Sequence, residues 1–227
     1  MLSLFALLLA PTPLGPNRGR LPVSAPPSPF GDDAALVRRF CAGDGKAFEL
    51  LVARHARLAG AVALSVVGDY HGANDVVQEA FVKVLEGLPQ LTDASRFRGW
   101  LRNVVRTTAL DHLRRRKVTG RSAEALPGQD EDSQPLPAPT LQPDDVLASA
   151  ETRELVRAEV ALLPESQREV VLLKYLDGRS YEEIAEITGL TINTIESRLF
   201  RARTTLRRRL AERFGAEGAA TAAGEGA

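Results

Sequence analysis

The chain of 227 residues has one cysteine and three histidines. Cys41 alone closes no internal disulfide, and no second cysteine lies near His55, His71 or His112 to complete a zinc site of recognisable spacing. No metal is expected, and a reducing, cytoplasmic setting fits. Net charge is lacking too: Lys plus Arg number 29 and Asp plus Glu 29, so overall charge points to no class of partner. Spanning a bilayer takes roughly 20 apolar residues. The opening MLSLFALLLA is far shorter and lacks the charged n-region of a signal peptide. Residues 1–31 are read as a disordered leader or a start assigned too early, with a membrane-touching leader as the lesser alternative. There is no Walker loop, metal-ligand cluster or nucleophile with a partnered base, so neither catalysis, a cofactor nor a small-molecule substrate is expected.

What is present is a folding chain, 44% apolar, whose charge is sorted into blocks. From Ser95 to Lys117 eight basic residues face one acid, Asp111. Between Val118 and Ala150 the sign reverses, with Arg121 against six acids. From Thr191 to Arg209 six arginines face Glu196 alone. Two basic segments flanking an acidic connector imply two DNA-facing surfaces on separate modules.

The apolar spacing is helical, with no convincing period-two run between Gly31 and Lys117. Asp75 reads as an N-cap for a long helix whose apolar rows are Val76, Val77, Ala80, Phe81, Val84, Leu85 and Leu88, stopped by Pro89. A further helix, Ser95 to about Arg116, sets Phe97, Trp100, Leu101, Val104, Val105 and Leu113 on its apolar side. Residues from Val118 to Pro143, rich in Pro, Asp, Ser and Gln, bury too little to order themselves and read as a linker. Helical periodicity returns from Asp145 to Leu163. Pro164 and Glu165 open the next helix, which closes at Asp177-Gly178. Ser180 with Glu183 forms a capping box, Gly189 ends that short helix, and Thr191 caps a last one from Ile192 to about Phe214. The expected fold is all-α: two helical domains, 32–117 and 150–214, joined by a flexible acidic linker, 118–149, with a low-complexity tail at 215–227.

Ala185, Gly189 and Ile195 have the offsets of a helix-turn-helix. The methyl at 185 permits close packing, Gly189 supplies a left-handed turn, and Ile195 pins the second helix. With Ile195, Leu199, Ala202, Leu206 and Leu210 as the buried stripe, Asn193, Thr194, Glu196, Ser197, Arg198, Phe200, Arg201 and Arg203 are left to face outward. Groups near that helix N-terminus reach base edges in a major groove, and later arginines suit phosphates.

Five stretches extend the pattern over nearly all of the ordered part: GDGKAFELLVARH, DVVQEAFVKVLEGL, SRFRGWLRNVVRTTALDHLRRR, LPESQREVVLLKYLDGRSYEEIAEITGL and TIESRLFRARTTLRRRL. In this order and spacing, from Asp32 to Phe214, the chain resembles the extracytoplasmic-function group of the sigma-70 family. The resemblance implies a sigma factor with its second and fourth domains and no middle domain, whose partners are core RNA polymerase, through its beta-prime and beta subunits, and promoter DNA. An anti-sigma factor is a further partner common in the family. Asp75, Gln78 and Glu79 match the ridge that docks on a beta-prime coiled coil. The helix from Ser95 matches the minus-ten reader, which gives Arg98, Trp100, Arg102, Arg106, Thr107, Arg114 and Arg115 as candidate contacts; Phe97 and Trp100 compete between base stacking and core. Thr107 stands where the family often has Asn, which leaves the preferred base open. The last helix matches the minus-35 reader, with Thr194, Glu196, Ser197, Arg198, Phe200 and Arg201. Glu196 replaces a frequent Lys or Arg, so a shifted minus-35 preference is expected. The alternative reading is a stand-alone helix-turn-helix regulator that acts without polymerase.

Overall fold

The structure, a computed structural model, describes residues 33–119 and 150–224. The chain divides into two compact units. The N-terminal one holds α1 (Asp33–Cys41), α2 (Gly45–Val67), α3 (Tyr70–Gly87) and α4 (Phe97–Thr119), with 3-10 turns at Leu88–Gln90 and Ala94–Arg96. The C-terminal one holds α5 (Ala150–Ala161), α6 (Glu165–Tyr175), α7 (Tyr181–Thr188) and α8 (Ile192–Gly224). No strand occurs among the described residues. The expected leader and all but the first two residues of the expected linker lie outside them.

In the N-terminal unit α2 is the central element, packed by α1, α3 and α4. Asp44 caps its start by accepting from the Lys46 N–H, and Gly68 closes its end in the left-handed region at φ 89°. Its run from Leu58 to Val66 is buried throughout, so a helix long and apolar enough to cross a membrane serves here as the core of a bundle. α3 begins earlier than expected. Asp69, not Asp75, is the N-cap: its Oδ1 accepts from the Gly72 N–H at 2.7 Å, while Asp75 lies exposed within the helix. Gly72 is required at that start, because a Cβ there would stand 2.8 Å from Val67 Cγ1. Val76, Val77, Ala80, Val84 and Leu88 are buried as expected. Leu85 is not a core residue: it is 43% exposed, beside Val82 at 56%. On α4, Phe97, Leu101, Val105, Thr108 and Ala109 are buried and Trp100, Val104 and Leu113 half-buried. α4 also takes in Val118 and Thr119, assigned to the linker from sequence; Arg116 and Lys117 in its last turn complement the helix dipole.

In the C-terminal unit α8 packs on α6 and α5 through Ile195, Leu199, Ala202, Leu206 and Leu210, all buried. Glu159 on α5 is buried and pairs with Arg213 at 2.9 Å and Arg209 at 3.7 Å on α8. The Arg168 guanidinium donates to the Ala161 carbonyl at 2.6 Å and closes the end of α5. α8 continues to Gly224 instead of ending near Phe214. The extension is rich in alanine and free of proline, and the helix runs on through Gly215 and Gly218 despite their low propensity.

Candidate nucleic-acid interface

The turn between α7 and α8 is held at both ends. Ser180 Oγ accepts from the Glu183 N–H at 3.1 Å and the Glu183 carboxylate accepts from the Ser180 N–H at 2.9 Å, a complete capping box. Gly189 takes φ 73°, and its N–H donates to the Ala185 carbonyl at 2.8 Å. Thr191 Oγ1 accepts from the Thr194 N–H at 3.3 Å at the start of α8. Ile195 is fully buried and fixes the rotation of α8. That rotation leaves Glu196, Ser197, Phe200 and Arg201 exposed on one face, one or three to five residues apart. Phe200, 57% exposed, is an apolar ring offered to solvent at the middle of this face.

Two predicted members sit differently. The Thr194 hydroxyl is 2.8 Å from that of Thr191, which commits it to the turn. Arg198 is half-buried and turns toward the Ser166 carbonyl, 3.5 Å away. Arg203, expected to face outward, is half-buried and donates to the Tyr181 hydroxyl at 3.3 Å, while the Tyr181 ring receives the Lys174 ammonium 4.9 Å from its centroid.

On α4, Arg98, Arg102 and Arg106 recur every four residues in one half-buried row. Arg98 is anchored from below, its Nε donating to Asp33 Oδ2 at 2.8 Å. Arg54 donates to the other oxygen, Oδ1, and His55 Nε2 lies 3.1 Å from it. No local pattern in the sequence marks this cluster, because Asp33 lies 21 positions from Arg54 and 65 from Arg98. The aromatic ambiguity is resolved for one residue. Phe97 is buried edge-on against His55, with ring centroids 5.2 Å apart, and offers no platform. Trp100 is half-buried, lying over Gly87 so closely that a Cβ there would stand 3.1 Å from its ring. Thr107 is exposed. At the end of α4 each arginine has an acid: Arg114 with Asp111 at 2.9 Å, Arg115 with Glu79 at 2.5 Å, and Arg116 with Asp69 at 2.9 Å.

The neighbouring face of α3 carries Asp75 and Gln78, both exposed, with Val82 and Leu85 along the same stripe. Glu79 is half-buried between cations. Lys83 at 2.9 Å and then Arg115 hold its carboxyl below the ordinary range. Lys83 also donates to the buried Thr108 hydroxyl at 3.2 Å, which joins α3 to α4.

Comparison with known proteins brings both units into one frame. Residues 51–119 match the family described as Sigma-70 region 2, and residues 153–206 that described as Sigma-70, region 4. The ECF RNA polymerase sigma-E factor of Escherichia coli (strain K12) is 35% identical over 178 residues, which is 77% of this chain and 92% of that protein. The factor of the same name from Salmonella typhimurium (strain LT2) is 34% identical over the same shares. A solved structure, CnrH in complex with the cytosolic domain of CnrY, covers 79% of this chain and 97% of its own at 27% identity, with a TM-score of 0.54.

Proposed function

Since the chain belongs to the extracytoplasmic-function group of the sigma-70 family, we propose that α4 and α8 are the elements with which it reads a promoter. The protein is a sigma factor that binds core RNA polymerase, directs it to promoters and helps open the DNA, and it acts inside the cell where the polymerase is. Within that role, α8 enters the major groove of the minus-35 element with Glu196, Ser197, Phe200 and Arg201 foremost. Arg198 and Thr194 are secondary, since both are partly engaged with their own unit. α4 takes the minus-10 element. Arg102 and Arg106 lie along the strand, Trp100 is the stacking surface, Thr107 is beside the captured base, and Arg98, Arg114 and Arg115 are on phosphates. Asp75, Gln78 and Glu79 dock on the polymerase beta-prime subunit, with Val82 and Leu85 adding apolar contact on the same stripe. The role is one of binding and strand opening, with no catalytic group of its own, and it places the protein at the nucleoid through the polymerase. An anti-sigma factor is proposed as a regulator, supported by CnrH having been solved with the cytosolic domain of CnrY.

The observation that carries the promoter reading is the turn itself. A capped α7, a left-handed Gly189 and a buried Ile195 fix which face of α8 is presented. Transcription in vitro tests it: purified chain with core RNA polymerase on a pool of genomic fragments from the source organism, with start sites sequenced. Discrete starts sharing two spaced upstream elements are expected. No starts, with DNA binding retained in the absence of polymerase, would instead favour a stand-alone regulator.

A further inference from the structure

Arg114, Arg115 and Arg116 form the most basic run of the N-terminal unit, yet in the free chain each is offset by a carboxylate. The three carboxylates differ in their other duties. Asp111 is on α4 itself, three residues before its partner. Asp69 is the N-cap of α3 and is held by the Gly72 N–H. Glu79 caps nothing. It stands at the edge of the exposed stripe of Asp75 and Gln78, and its contact with Arg115 bridges two helices across 36 positions of sequence. Lys83 grips its other oxygen and is itself tethered to Thr108, so a lysine remains beside Glu79 whichever way Arg115 turns.

We propose that Glu79 is a shared carboxylate that couples polymerase docking to DNA binding: in the free chain it occupies Arg115, and a basic group of the polymerase that takes Glu79 releases Arg115 to a DNA phosphate. The inference rests on the docking role of Glu79 and the DNA role of Arg115 proposed above. The physics is competition between anions for one guanidinium. Arg115 is 58% exposed and Glu79 34%, so the pair is open to exchange and screened by salt. A pair of this kind shifts binding by about two- to fivefold. Coupling is reciprocal by linkage: whatever frees Arg115 for DNA must also make Glu79 easier to take when Arg115 is absent.

Wild type, Glu79→Gln, Arg115→Ala and the double variant, each as the full chain, are titrated at low ionic strength against two partners. One is a fluorescein-labelled single-stranded oligodeoxynucleotide of random sequence, and the other is core RNA polymerase. A far-UV circular dichroism spectrum checks that each variant is folded. Glu79→Gln should bind the oligonucleotide about two- to fivefold tighter than wild type, with the slope of log affinity against log salt steeper by about 0.7. The gain should vanish in the Arg115→Ala background. Arg115→Ala should bind core polymerase tighter by a similar factor, and Glu79→Gln weaker. No tightening in either titration, while Glu79→Gln loses polymerase affinity and the double variant binds less DNA than Glu79→Gln, overturns the exchange and leaves both roles standing. A double variant equal to Glu79→Gln on DNA, or a Glu79→Gln variant unchanged on polymerase, overturns the inference together with the corresponding role.

Discussion

Asp33 is buried, and its two oxygens accept from Arg54 and Arg98 with His55 close by. Burial by itself pushes the carboxyl up, but the contacts with His55, Arg98 and Arg54 outweigh it and hold the group well below the ordinary carboxylate range. Because the folded value lies under the unfolded one of about 3.9, the stabilisation is complete above that pH. It is lost as pH falls from there toward the folded value. Asp33→Asn should cost about 3 kcal/mol at neutral pH, at the low end for a broken buried pair because Arg98 can turn to solvent. The variant's stability should also fall less in acid than that of wild type. Urea unfolding at neutral and acid pH measures both, and equal midpoints at neutral pH would refute the role. Glu196, exposed on α8, is proposed above as a minus-35 contact. A carboxylate accepts from cytosine N4, whereas arginine pairs with guanine O6 and N7. Selection of promoters from a random library by Glu196→Arg should therefore move one minus-35 position toward guanine, and an unchanged consensus would sink that assignment.

At the scale of the element, local motifs behaved differently according to how far their partners lie. The capping box of α7 spans three residues, and both of its hydrogen bonds were readable from Ser180 and Glu183. At the start of α3 two aspartates, Asp69 and Asp75, offer themselves as the cap. Asp69 prevails by reaching the Gly72 N–H, a choice that depends on Gly72 fitting against Val67. Leu85 lies on the apolar row of α3 yet is exposed, because helical periodicity gives a stripe but not its width. Ser180→Ala removes one half of the box and frees the other, and should lower the stability of the C-terminal unit by about 1 kcal/mol. Gly189→Ala meets no atom within 4 Å, so its cost is conformational alone, about 1–2 kcal/mol for a left-handed residue. Both are checked by the unfolding midpoint followed by circular dichroism.

For the whole molecule, two units with their own buried cores predict two unfolding transitions in one chain. The single tryptophan, Trp100, reports the N-terminal unit by fluorescence, whereas far-UV circular dichroism reports both. Asp33→Asn should shift the fluorescence transition to lower urea. Ser180→Ala should leave it in place while shifting part of the dichroism curve. A fluorescence transition that follows Ser180→Ala would show that the two units unfold together.

The helical class, the separation into two basic modules and the turn at Gly189 were determined by sequence alone, because periodicity, caps and breakers act over one or two turns of chain. Which acids hold which arginines was decided only by tertiary structure. Arg98 is held by Asp33, 65 positions away, and Arg115 by Glu79, 36 positions away. No local pattern encodes such pairs, since they exist only once α1, α3 and α4 pack around α2 and bring opposite charges within reach.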